Sequence, residues 1–131
     1  MLKESIICIV IVISILVGNC KIQDYTKESI NQISTNLSEL RTEIVKDENE
    51  IKQENVKNKM DKVFEAWDER HDKLAYFIEH DELEKVENHL TAMKSYIETE
   101  EFSDSINEID EGEFILKHIE EKYAFSLENI F

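Results

Sequence analysis

Four histidines and a large surplus of carboxylates are the side chains in this 131-residue sequence that could do chemistry. His71 follows Asp68 by three residues, and an Asp-x-x-His spacing puts both groups on one helical face, as in carboxylate-bridged metal bundles. Such bundles need several motifs converging, and no Glu-x-x-His occurs anywhere in the chain. His71 also falls on an apolar stripe between Trp67 and Leu74, so a histidine at the core margin is the better account. The densest polar cluster is Glu79-His80-Asp81-Glu82. His80, Asp81 and Glu82 are the weak metal candidates, and an imidazole there could report pH. A capped turn between helices needs the same residue types, with Asp81 as N-cap and Glu84 in the capping-box position. Asn107 to Gly112 imitates a calcium loop, but Ile109 occupies a required oxygen-ligand place.

No catalytic set is visible. There is no glycine-rich phosphate loop, nucleophile elbow or Ser-His-Asp arrangement. The two cysteines, Cys8 and Cys20, both lie in the first 20 residues. The rest of the chain therefore has no disulfide, thiolate metal ligand or thiol nucleophile. No cofactor and no enzymatic activity are expected.

The elements that position these residues are helices. Ile30, Ile33, Leu37, Leu40 and Ile44 step by three and four, the seam of a bundle helix or coiled coil. The phase fails at Glu54 and Asn58, and a new one runs through Val56, Met60, Val63, Trp67, Leu74 and Phe77. The register therefore breaks within 46–50, and a turn there, rather than a kink, is the favoured reading. Phe64, Trp67, Tyr76 and Phe77 form an aromatic girdle that core packing explains. A third helix carries Leu83, Val86, Leu90, Met93 and Ile97. A fourth, capped by Thr99 or Ser103, carries Ile106, Ile109, Leu116, Ile119 and Tyr123. Gly112 interrupts that helix and predicts a bend or fraying, and the tail 126–131 is apolar enough to pack back on the bundle.

Before all of this comes a run of sixteen uncharged residues, 5–20, between Glu4 and Lys21. As a helix it spans roughly 24 Å at about 1.5 Å per residue, short of the roughly 30 Å hydrocarbon core. Lys3 and Lys21 can snorkel to the headgroups and make up the difference. A retained single-pass anchor is the favoured reading. Val17-Gly18-Asn19-Cys20 resembles a bacterial lipobox, which would lipidate Cys20 after cleavage, although Asn19 stands where a small residue is expected. The expected division is 1–22 for the anchor, or signal or lipoprotein segment, and 23–131 for an extracytoplasmic helical domain, the orientation resting on a slight charge bias.

Lys3 and Glu4 cancel, so the formal net charge of −15 falls entirely on the remainder. That surface repels nucleic acid and anionic lipid headgroups, so a DNA-, RNA- or peripheral-lipid-binding role is not expected. Proline is absent and glycine occurs twice, which favours helices over tight-turned sheets.

Taken together, Trp67, Leu74, Phe77-Ile78-Glu79-His80-Asp81-Glu82-Leu83 and the terminal Leu127-Glu128-Asn129-Ile130-Phe131 resemble the bacterial domain-of-unknown-function family numbered 4363. The resemblance covers about residues 56–131 plus the anchor. It implies a small membrane-anchored helical protein with an uncleaved anchor, transfers no catalytic residue, and points to His80, Asp81 and Glu82 as a family feature. The expected fold is all-α, an antiparallel three- to four-helix bundle with an N-terminal membrane helix. The expected function is a non-enzymatic interaction or scaffolding module at the cell membrane. Its partners would be an envelope or membrane protein or a second copy paired through the 30–44 seam. Trp67, His71, Phe77, His80, Asp81 and Glu82 are the candidate interaction residues, and a cation- or pH-responsive module around His80 is the alternative.

Overall fold

The computed structural model describes residues 1–46 and 49–128, and its regular structure is four α-helices: α1 (Leu2–Ile44), α2 (Gln53–Leu74), α3 (His80–Glu98) and α4 (Phe102–Glu128). The chain is all-α, as its periodicity predicts. The helices alternate in direction. Gln32 and Glu39 of α1 meet Arg70 and Lys59 of α2, Gln23 and Arg41 of α1 meet Tyr123 and Asp110 of α4, and Glu82 and His89 of α3 meet Lys122 and Glu108 of α4, so each neighbour runs antiparallel. The closest pairs are α3 with α4, α1 with α2 and α1 with α4, while α2 and α3 meet only slightly.

The core is the set of stripes read from the spacing. Ile30, Ile33, Leu37, Leu40 and Ile44 are buried, as are Val56, Met60, Val63 and Trp67, and Leu83, Val86, Leu90, Met93 and Ile97. From α4 come Ile109, Leu116 and Ile119, with Ile106 and Tyr123 packed at the edge. Each such side chain contributes about 1.5–3 kcal/mol by leaving water, against about 1 kcal/mol or less for a solvated charge contact. This imbalance lets the two most acidic helices, α3 and α4, form the closest pair.

Within the chain the 30–44 seam is covered by α2 and α4, and α1 passes through residue 22 without a break. Two expectations about helix caps are corrected. Asp81 does not cap α3: Glu79, with extended φ −57° and ψ 136°, is the N-cap, and no side chain caps it. Asp81 and Glu82 instead occupy the first turn, where their charge opposes the positive end of the helix dipole. Neither Thr99 nor Ser103 caps α4. Thr99 is the C-cap of α3, whose end closes with Glu101 N–H donating to Tyr96 and Glu100 N–H to Ile97. That Schellman closure holds Glu100 at φ 60°, a place usually given to glycine.

The expected break at 46–50 has α1 and α2 packed antiparallel on either side, so the chain reverses there; Asp47 and Glu48 themselves lie outside the described residues. So do residues 129–131, and with them the expected packing of the tail.

α4 runs unbroken through Gly112, which is buried. A Cβ there would meet His89 Cβ at 3.7 Å, an ordinary contact, and the backbone is not in the left-handed region. Gly112→Ala is therefore expected to stabilise the bundle by about 1 kcal/mol, read as a higher urea midpoint at an unchanged slope.

Candidate functional site

Three places carry the residues singled out by the sequence, and they lie at different levels of the bundle. The first is the end from which the apolar run emerges. There α2 gives way to the turn 75–79, and α3 begins at His80. Glu79 N–H donates to the Tyr123 hydroxyl at 2.8 Å, and Lys122 Nζ lies 3.3 Å from Glu79 and 3.6 Å from Glu82. Those carboxylates hold the Lys122 ammonium charged, its pKa raised chiefly by the hydrogen bond to Glu79. Glu82 is thus drawn inward and buried, while the His80 ring stays exposed, 4.0 Å from Glu84, and Asp81 faces solvent. The three do not converge. Among the described residues no three His, Cys, Asp or Glu side chains come together to hold a metal ion.

The second place is the α1–α2 face. Trp67 is 2% exposed and tilts against His71, ring centroids 5.3 Å apart. It belongs to the core and offers no surface. His71 sits at the core margin and its Nδ1 lies 3.3 Å from Asp72, not Asp68, so the Asp-x-x-His pair is not assembled. Beside it Arg70 bonds Gln32 at 2.9 Å and, with Lys73, lies over the Tyr25 ring, 5.3 and 5.0 Å from its centroid. Periodicity gives no hint of this stack, because it depends on which helices become neighbours.

The third place is the opposite end, where weak contact between α2 and α3 leaves an open groove of about 300 Å³. Val56, Met60, Ile97 and Phe102 line it, with Gln53, Lys57, Glu98 and Glu100. Gln53 donates to Glu100 across the mouth. Its apolar floor can hold an apolar group, with charged side chains around it.

The aromatic girdle is only partly a core feature. Phe64 and Phe77 pack against the core from its edge, but Tyr76 is 84% exposed. Tyr76 stands two residues past Leu74, out of phase with the stripe that ends in Leu74 and Ile78, and that offset is the signal by which sequence reasoning could have found it. Cys8 and Cys20 are free and exposed, and α1 is helical through Gly18, Asn19 and Cys20.

The long apolar helix is the remaining feature. Within α1 an 18-residue window has a mean hydropathy of 2.4 with none of it buried, long and apolar enough to cross a membrane. The fold and this helix define a helical bundle carried on an apolar N-terminal helix. The profile of a domain of unknown function, DUF4363, matches residues 22–130, and the chain belongs to that family. The match starts where the apolar run ends, so it reaches further back than residue 56 and leaves the run itself outside. No curated protein and no solved structure matches the chain.

On the α1–α4 face Glu113 is half-buried beside Asp110, which Arg41 binds at 2.9 Å. Burial first, then the Asp110 charge, pushes the Glu113 carboxyl above its ordinary value, with Arg41 partly offsetting them. The raised value means that the unfolded chain ionises Glu113 more readily. Its charge therefore opposes folding at neutral pH, and the opposition fades as pH falls through the carboxylate range. Glu113→Gln is expected to raise the melting temperature by a few degrees at pH 7.5 and to leave it unchanged at pH 3.5. A variant that melts with the parent at both values would contradict this account.

Proposed function

We propose that this protein is a non-enzymatic module that a retained, single-pass membrane helix holds at the outer face of the cell membrane. Its acidic bundle is the surface offered to an envelope or membrane protein. The observation that carries the reading is the continuity of α1. Ile6, Ile7, Ile9, Val10, Ile11, Val12, Ile13, Ile15 and Val17 are exposed around its whole circumference, whereas Ile30 to Ile44 of the same helix form the bundle's central seam. A helix apolar on all sides needs a non-aqueous surround, and helical backbone satisfies its own hydrogen bonds there. Continuity supports the retained reading, since the segment runs without a break into the first core helix of the bundle. For the partner surface, residues 79–131 hold sixteen acidic side chains and four lysines, so a basic face is the complementary chemistry. The apolar part of the groove, Val56, Met60, Ile97 and Phe102, supports a binding role.

The full chain with a C-terminal tag is expected in the membrane fraction, resistant to high salt and alkaline carbonate and released by detergent, with the mass of the intact 15.5 kDa chain plus tag. Val12→Asp at the centre of the run, costing about 2.5–3.5 kcal/mol of insertion free energy, is expected to move a large share of the protein to the soluble fraction. A shortened chain lipidated on Cys20, or a soluble parent, would overturn the retained anchor.

A further inference from the structure

Outside Met1–Val17 the large apolar side chains that stand exposed among the described residues are Val45, Tyr76 and Phe114. Tyr76 differs from the other two in its position along the bundle axis. Lys73 of α2 lies over the Tyr25 ring, so these two residues share a level. The chain then runs three residues further toward the start of α1, which brings Tyr76 level with Ile22. That is two residues, or roughly 3 Å of helix rise, beyond the end of the apolar run at Cys20. On the other side of α1, Gln23 donates to the Tyr123 carbonyl at 3.3 Å, placing Tyr123 at the same height.

Three of the chain's four tyrosines, Tyr25, Tyr76 and Tyr123, therefore ring the bundle within about a turn and a half of the apolar run. Tyrosine prefers the interface between hydrocarbon and water, where its ring is apolar and its hydroxyl is wet. Cations accompany the ring: Arg70 and Lys73 over Tyr25, Lys122 5.8 Å from the Tyr123 centroid, and exposed Lys21. The carboxylates at this end include Asp24, Asp72, Glu79, Asp81, Glu82, Glu84, Glu120 and Glu121, of which Glu79 and Glu82 are taken up by Lys122 and Glu84 lies 4.0 Å from His80. The turn that bears Tyr76 is braced by the bond from Glu79 N–H to the Tyr123 hydroxyl, so it is presented as a fixed knob.

We infer that the 75–79 turn, led by Tyr76, rests in the headgroup layer of the bilayer that α1 enters, giving the bundle a second point of contact beside its anchor. The inference depends on the reading of α1 as a membrane helix. The overall charge of −15 leaves the bundle little affinity of its own for anionic lipid. None is needed, because α1 already holds the turn at the surface and makes the contact intramolecular.

Depth measurement on the full chain tests this. In a Cys8→Ser, Cys20→Ser background, a nitroxide is placed in turn at Ile11→Cys, Tyr76→Cys and Val45→Cys, and the protein is reconstituted in vesicles of phosphatidylcholine with a minority of phosphatidylglycerol. Ile11 lies inside the run. Val45 lies 25 residues past Cys20, roughly 37 Å along the helix. Circular dichroism checks each fold, and Tyr76 is exposed enough for its replacement to remove little packing. The ratio of oxygen to aqueous nickel-chelate accessibility is expected to be several-fold higher at 76 than at 45, and lower at 76 than at 11. Tyr76→Trp, read by lipid-borne bromine quenching above the constant background of buried Trp67, gives the same answer without a label. Equal ratios at 76 and 45 with a buried label at 11 would overturn the contact and leave the anchor standing. An exposed label at 11 would overturn both.

Discussion

The continuity of one helix, from an exposed apolar run into a buried core stripe, governs the rest of this structure. α1 is 43 residues long, about 65 Å at the usual rise. On the proposed reading, a break at the membrane boundary would leave backbone groups unpaired where water is scarce, and the helix continues from the apolar run into the bundle. Once it does, the direction of its buried stripe is fixed by the run that precedes it. α2 and α4 flank that stripe on its two sides, and α3 closes the bundle against α4 without packing closely on α1. The weakest seam, between α2 and α3, lies opposite the central helix, and it is where the groove opens.

Charge is arranged around this apolar frame. Exposed carboxylates crowd α3 and α4, and the cations are spent where they brace helix ends and neighbours. Lys122 ties the α2–α3 turn to α4, Arg41 ties the middle of α1 to α4, and Lys46 donates to Glu43 at 2.8 Å at the end of α1. That last bond holds the buried Glu43 carboxyl below its ordinary value against the opposing effect of burial. Its contribution to folding is therefore present at neutral pH and lost as pH falls through the lowered value. Glu113 has the opposite sign. Acidification thus acts on two carboxylates in opposing directions while it also relieves the repulsion of a surface carrying −15.

Much of this fold was legible in the sequence because a helix buries residues at three- and four-residue steps, and those steps are counted without coordinates. Ile33, Leu37, Leu40, Val63, Val86 and Met93 were assigned to the core by spacing and are fully enclosed. What spacing leaves undetermined is where a helix begins and which helices become neighbours. The start of α3 lies at Glu79 because the backbone turns there, and an available cap at Asp81 does not move it. The Tyr25, Arg70 and Lys73 stack joins residues up to 48 positions apart, a relation that no local pattern encodes. The His80 cluster looked dense as a string, but helical geometry sends Glu82 inward and His80 outward. Adjacency in sequence there means separation in space.

The interior also bears on which kinds of function such a bundle can serve. Its core positions are filled by Leu, Ile, Val and Met, and its polar members are mostly short hydroxyls satisfied by their own helix, as Ser29 is by Tyr25 and Ser105 by Phe102. An interior of that kind holds the four helices together and leaves the distinguishing features on the surface. Outside, the feature that distinguishes one level from another is height above the apolar run. The tyrosine ring lies within a few residues of the run, and the groove at the far end of α2 and α3 lies near the level of Val45, roughly 37 Å further on. The acidic face of α3 and α4 spans the distance between them. On the proposed reading, a partner with a basic face can bind anywhere along that face, but one with an apolar anchor finds the groove at a single height. A rigid α1 is what keeps that height constant, and a hinge near Lys21 would abolish the distinction.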